Sequence, residues 1–157
     1  MILYNVPSRT GLSISPETYC ELSKHGNIVA TKEAAGNMSG LASAVALFGD
    51  DLDVYSGNDQ EITPIMALGG KGVISVLANV MPKETSEICR LCLENDFLSA
   101  AKLQIEMIPL INALFADVNP IPVKEAMKII GFNAGPCRLP LYELSDSGKS
   151  SLMSLLG

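Results

Sequence analysis

At 157 residues the chain is long enough for one domain with a real core and too short to plan on two. Its 11 Lys and Arg against 17 Asp and Glu give a net charge of −6, and with no basic run, 5% aromatic residues and no tryptophan it lacks the electrostatic footprint of a nucleic-acid binder. No charged-then-apolar leader opens the chain and no apolar run approaches the length of a membrane span, so the expected address is cytoplasmic. A mean hydropathy of +0.29 with 48% hydrophobic residues is high for one domain and predicts apolar surface covered by another chain or segment.

Taken in order, residues 1–6 read as a strand stopped by Pro7, one that begins with no structure before it. Ser15-Pro16-Glu17 supplies a capping serine and a proline at the first helical position, for a helix running to about His25-Gly26. Residues 28–34 form an apolar, β-branched strand between His25-Gly26 and Gly36-Asn37, and near its C-terminal end stands Lys32. Period-two alternation puts Ile28, Ala30 and Lys32 on one face, so the amine projects past small and apolar neighbours. That setting suits a carbonyl-attacking amine; taken alone it fits a solvated strand-end lysine better.

Residues 38–48 predict an Ala- and Leu-rich helix ending at Gly49, residues 52–55 a short strand closing on Ser56-Gly57-Asn58-Asp59, and residues 62–68 a short helix. Gly69-Gly70-Lys71-Gly72 introduces residues 73–78, the most continuous apolar run, as a fourth strand. Strand and helix alternate at roughly 20 to 28 residues per unit, the rhythm of β-α-β crossovers, and the apolar strands predict a parallel sheet covered on both faces. From Pro82 the rhythm changes. Residues 83–117 are helical with a break at Asn95-Asp96 and an apolar stripe of Leu103, Met107, Leu110 and Leu114. Residues 123–130 form another helix, residues 131–141 a loop, and Ser145-Asp146-Ser147 caps a last helix to Leu156. The organisation is residues 1–81 as four βα-type units and residues 82–157 as the helix of the last unit plus a helical extension.

Cys89 and Cys92 form a C-x-x-C inside a helical pattern, with no second pair and no histidine nearby, and read as structural; Cys20 and Cys137 read as small half-buried residues. His25, the only histidine, reads as a helix-terminal residue. Gly69-Gly70-Lys71-Gly72 precedes a strand, whereas phosphate cradles come after one.

In parallel α/β folds the C-terminal strand ends carry the working residues, because the loops there converge on one opening. The ends here are Tyr4-Asn5-Val6, Lys32-Glu33, Ser56-Gly57-Asn58 and Ser75-Val76. A lysine, a phenol and glycine backbone at one rim suit Schiff-base chemistry, and Arg9 just beyond can grip a carboxylate as a bidentate fork. Tyr4 as a plain strand aromatic and Arg9 as a solvated loop charge remain open for each residue taken singly.

The run Tyr4-Asn5-Val6-Pro7-Ser8-Arg9-Thr10-Gly11, then Lys32-Glu33-Ala34 with Gly36-Asn37, Ser56-Gly57-Asn58-Asp59, Gly69-Gly70-Lys71-Gly72-Val73-Ile74-Ser75, Asn119-Pro120-Ile121-Pro122-Val123-Lys124 and Arg138-Leu139-Pro140, resembles the dihydrodipicolinate synthase family of pyruvate-dependent class I aldolases. The resemblance implies an α/β fold, the C-terminal half of a (β/α)8 TIM barrel followed by a helical extension. It also implies a lysine-biosynthetic condensation of pyruvate with aspartate semialdehyde to 4-hydroxy-tetrahydrodipicolinate. By resemblance, Lys32 forms the imine with pyruvate, Tyr4 relays protons, Arg9 binds the carboxylate of the second substrate or product, and the backbone of Gly57 and Ile74 lines the pyruvate pocket. No metal or organic cofactor is implied, and a homo-oligomer is.

Such a barrel takes about 250 residues, and this chain holds four of its eight units. The expectation is therefore a fragment inactive alone. By the resemblance, the units not present carry a Gly-Gly-Thr-Thr-Gly-Glu-like loop that helps bind pyruvate, a tyrosine supplied to a neighbouring subunit, and most of a lysine feedback site. The chain's two sheet edges need cover from a copy of itself or a separate N-terminal half-barrel. Arg9 argues against the alternative of a sialate or 2-keto-3-deoxy sugar-acid lyase; the missing loop keeps a non-catalytic half-barrel assembly module in view.

Overall fold

The strand signals resolve, in a computed structural model that describes residues 1–157, into one parallel sheet of four strands in sequence order. The strands are β1 (Ile2–Asn5), β2 (Ala30–Glu33), β3 (Asp53–Ser56) and β4 (Gly72–Val73). Helices α1 (Pro7–Thr10) and α2 (Pro16–Ser23) follow β1, α3 (Met38–Phe48) follows β2 and α4 (Ile62–Ala67) follows β3. Then come α5 (Pro82–Leu93), α6 (Phe97–Leu114), α7 (Ile121–Ile129) and α8 (Asp146–Leu156). The expected architecture of four parallel strand units and a helical extension is what the chain adopts. Ser15, Asn37, Asp96 and Ser145 each accept an N–H from the first turn of their helices, as capping residues do. Between α5 and α6, Asn95 takes φ 65°, the left-handed break.

Three details differ from the sequence reading. The sheet is covered on one face only: Leu3 and Val54 pack with Tyr19, Leu41, Ala44 and Phe48 of α2 and α3, while Ile2 and Tyr4 on the other face stay half exposed. Strand apolarity here reports the concave interior that a closed barrel would fill. The run 73–78 is strand only at Val73. After it the Asp59 carboxylate takes the N–H groups of Val76 and Leu77, and the Ser75 hydroxyl takes that of Ala78, winding the chain into a 3-10 turn at Leu77–Asn79. Leu77 thereby enters the helical core beside Leu110, Ile111, Leu114 and Leu152. Finally, α6, at 18 residues with mean hydropathy 1.2, is long and apolar enough to cross a membrane, against the expectation of no such run. Its buried stripe of Ala100, Gln104, Leu110, Ile111 and Leu114 instead serves as core packing for α4, α5, α7 and α8.

Two buried polar joints fix these layers. Gln104 accepts from the Thr63 N–H at 2.8 Å and its hydroxyl at 2.6 Å and donates to the Gln60 carbonyl at 2.6 Å, tying α6 to the start of α4. Behind the sheet, Glu33 accepts from Asn5 Nδ2 (3.1 and 3.0 Å), from the Tyr19 hydroxyl (3.0 Å) and from the Ala35 N–H (2.8 Å). Thr31 donates to the Tyr19 oxygen at 3.1 Å, and Asn5 Oδ1 receives the Ile14 N–H at 3.1 Å, so the joint spans β1, β2, α2 and the loop before it.

Gln104→Ala leaves the Thr63 donors unpaired and is expected to cost about 1–3 kcal/mol, read as a lower urea midpoint at unchanged slope; an unchanged midpoint would contradict the joint. The Tyr19 phenol is pushed well above its ordinary 10.0, by burial first and by the Glu33 charge, against the lowering effect of the Thr31 hydroxyl. The folded chain thus keeps a proton that the unfolded chain releases, so this contribution to stability is complete below pH 10 and declines as pH rises past it. Tyr19→Phe should lower stability at neutral pH by about 1–2 kcal/mol yet lessen the decline above pH 10. Parallel stability curves for the two proteins would show the phenol to be uninvolved.

Candidate active site

One row of the sheet register runs Tyr4, Lys32, Tyr55, all on the uncovered face at the C-terminal end of the strands. Lys32 Nζ lies 4.2 Å from the centre of the Tyr4 ring, over its face, a contact of about 0.5–1 kcal/mol at an exposed site. The chain's ion pairs are Lys24–Glu21, Arg90–Glu87, Arg90–Glu94 and Lys149–Glu143, so neither Lys32 nor Arg9 is neutralised by a carboxylate. Lys32 is half-buried, with its amine free of protein acceptors.

Gly57 sets the lysine's path. A Cβ there would fall 2.9 Å from Cγ and 3.0 Å from Cε of Lys32 and 2.9 Å from Cβ of Ala34, closer than real atoms approach. Only glycine lets the lysine stem pass between β3 and the Tyr4 ring. The Gly57 N–H is bonded to the Glu33 carbonyl at 2.6 Å and the Ile74 N–H to the Ser56 carbonyl at 2.8 Å. What these two residues offer a ligand is therefore wall and carbonyl, with no free N–H for an oxyanion. Arg9 projects from α1, the four-residue helix directly after β1, and is exposed at the same rim; Gly11 at φ 72° closes that helix with its N–H on the Pro7 carbonyl.

The structure thus brings Lys32, Tyr4 and Gly57 into contact and sets Ile74 and Arg9 on the same rim. The sequence reading missed the Asn5–Glu33–Tyr19–Thr31 joint behind Lys32. Its signal was present: Thr31 and Glu33 alternate with Ala30 and Lys32, and polar residues on both faces of an interior strand require buried partners on one of them. It also missed Asp59, and Glu61, a half-buried carboxyl whose pKa is raised by burial first and by the Glu33 charge second.

Other features stay clear of this site. A cavity of about 440 Å³ lies between α7 and residues 133–144, where Lys124 already donates to the carbonyls of Ala134, Gly135 and Pro136. Cys89 and Cys92 are unbridged, and burial raises both thiols, Cys89 to about 11, so neither is a ready thiolate. No group of three or more His, Cys, Asp or Glu side chains is placed to hold a metal ion.

Known proteins resemble the chain in sequence and in fold. The chain is 50% identical over 157 residues to a 4-hydroxy-tetrahydrodipicolinate synthase of Thermoanaerobacter sp. strain X514, covering 99% of this chain and 53% of the relative. It is 51% identical over 156 residues to the protein of that name from Caldicellulosiruptor saccharolyticus, covering 99% and 52%. Among solved structures it resembles dihydrodipicolinate synthase from Aquifex aeolicus, with a TM-score of 0.95 at 44% identity over 99% of this chain and 53% of that one. It also resembles the chloride-inhibited synthase from Acinetobacter baumannii complexed with pyruvate, with a TM-score of 0.92 at 38% identity over 99% and 53%. The chain spans about half the length of the curated relatives it matches. With the family's pattern matched across residues 1–157, the chain belongs to the dihydrodipicolinate synthetase family.

Proposed function

We propose that this chain is the lysine-bearing half of a 4-hydroxy-tetrahydrodipicolinate synthase, condensing pyruvate, held as an imine on Lys32, with aspartate semialdehyde. The observation that carries the reading is the free Lys32 amine, aimed by Gly57 over the Tyr4 ring on the open face of the strand row. Chain membership in the family and the pyruvate complex of a relative support the choice of keto acid.

In this mechanism the Lys32 nitrogen attacks the keto carbon of pyruvate, and the carbonyl oxygen leaves as water with the two amine protons. The methyl group then gives up a proton to form an enamine, whose carbon attacks the aldehyde. The aldehyde oxygen takes a proton, and the amine of the semialdehyde displaces Lys32 as the ring closes. Tyr4 is the proton carrier: its ring holds Lys32 by the face, which leaves its hydroxyl for the substrate oxygens. Arg9, unpaired at the rim, receives the carboxylate of the second substrate, which favours this synthase over a sugar-acid lyase. Gly57 and Ile74 form the wall of the pyruvate pocket.

The division into residues 1–81, which hold every group named above, and residues 82–157, the last barrel helix and its extension, is part of the proposal. So is a partner. The uncovered face bearing Ile2 and Tyr4, and a length of 52–53% of the relatives' own, favour a chain that works only when a complementary N-terminal half-barrel or a further copy covers it, within a homo-oligomer. Four unpaired cysteines suit a reducing compartment, and the cytoplasm completes the proposal.

Incubation with pyruvate and borohydride, with and without an added N-terminal half-barrel of a relative, tests the reading. The expected product is a reduced pyruvyl adduct mapped by mass spectrometry to Lys32 and absent in Lys32→Ala. No adduct in either arm rejects the catalytic reading and leaves a non-catalytic assembly half.

A further inference from the structure

Asp59 is as deeply buried as any charged side chain in the protein, 1% exposed, yet none of the chemistry above uses it. Its Oδ2 accepts the Val76 N–H at 3.0 Å and the Leu77 N–H at 2.9 Å, and its Oδ1 has no partner. An unsatisfied buried carboxylate oxygen lowers stability, so the residue is poorly explained as a stabilising contact. Its position offers a better explanation. Asp59 lies two residues after Gly57, and the amides it holds lie two and three residues after Ile74. The carboxylate therefore joins the two backbone segments that form the wall beside Lys32.

The surrounding bonds complete the clasp. The Ser56 hydroxyl donates to the Asn58 carbonyl at 2.7 Å and accepts the Asn58 N–H at 3.2 Å, which closes the Gly57 turn on itself. The Ser56 carbonyl takes the Ile74 N–H, and the Glu33 carbonyl takes the Gly57 N–H. β4 contributes only Gly72 and Val73 to the sheet, so strand pairing alone does little to fix the residues after it. Past Ile74, the next backbone amides to be held are those of Val76 and Leu77, and Asp59 holds both.

We propose that Asp59 is a positioning residue that sets the separation of Gly57 and Ile74, and through it the fit of the keto acid against Lys32. The carboxylate does not touch substrate; it acts through two amides on the far side of the wall. This inference rests on the pyruvate reading of Lys32, and one of its tests is independent of that reading.

The test compares Asp59→Ala, which removes both accepted bonds, with Asp59→Asn, whose amide oxygen can accept both again. Amide hydrogen exchange, which requires no substrate, is expected to quicken about tenfold or more at Gly57 and Ile74 in Asp59→Ala, to remain unchanged at Leu3 and Val54 in the body of the sheet, and to return to the parent rate in Asp59→Asn. In borohydride trapping with the complementary half-barrel, the pyruvate concentration for half-maximal trapping should rise about tenfold in Asp59→Ala with the limiting rate changed by less than about threefold, and Asn should restore it. Unchanged exchange at Gly57 and Ile74 in Asp59→Ala, or a loss confined to the limiting rate, overturns the role of Asp59 while leaving the lysine chemistry standing. Absence of any adduct in the parent protein defeats the pyruvate reading instead, and the exchange pattern then decides alone whether Asp59 sets the two segments. Should Asp59→Ala not fold, Asp59→Ser, whose hydroxyl can hold one amide at a time, takes its place, with intermediate effects expected and parent-like values in both readouts overturning the proposal.

Discussion

Glu33 is buried without an ion pair, and the sheet's working edge exists because four hydrogen bonds from Asn5, Tyr19 and Ala35 make that burial tolerable. A carboxylate in such a place is strongly disfavoured unless its acceptor sites are filled, and here each oxygen has two donors. The donors come from β1, α2 and the turn after β2, so satisfying one side chain fixes three elements against one another. Because strand residues alternate faces, locking Glu33 behind the sheet fixes the orientation of Lys32 in front of it. The site lysine is thus aimed from the opposite face, by residues that never approach its amine.

The same alternation explains why the front of the sheet looks unfinished. A sheet whose back is sealed by helices and whose front carries Ile2, Tyr4, Lys32 and Tyr55 leaves apolar side chains exposed and its two edge strands unpaired on one side. The core obeys this division of labour. One cluster, around Tyr19, Leu41, Phe48 and Val54, seals the back of the sheet; a second, around Leu77, Leu110, Ile111 and Leu152, binds the C-terminal helices to one another. Between them, Ile62, Met66, Ile88 and Ala100 join α4 to α5 and α6, so the helical extension is anchored to the last strand units through apolar contact as well as through Gln104. The packed core thus lies behind and beside the site, and the front stays open.

The legible parts of this structure were those with a local cause. Capping serines marked two helix starts, and alternation placed Lys32 on the face it occupies. Where the sequence misled, a distant group had decided the matter. Residues 73–78 carry every local sign of a strand, but Asp59, more than a dozen residues earlier, takes the amides of Val76 and Leu77 and bends the run into a turn. No periodicity in residues 73–78 reports a carboxylate at residue 59. Lys32 and Tyr4 could be named from the motif, but the contact of ring face with amine depends on the parallel register that pairs residues 28 positions apart.

Gly57 shows how local and distant causes meet. Its lack of a side chain is a local fact, readable in Ser56-Gly57-Asn58, but the reason for it is the Lys32 stem pressed within 3.0 Å of where a Cβ would stand. A lysine in open solvent would keep its rotamer freedom, whose loss on ordering costs about 1.5–2 kcal/mol for so long a side chain. Here the Gly57 backbone on one side and the Tyr4 ring on the other confine it before any substrate arrives. For the proposed chemistry that confinement is an advantage, because an amine already placed gives up less freedom when it meets a carbonyl. The glycine, the ring and the buried carboxylate behind the strand are three parts of one constraint, and it acts on a single nitrogen.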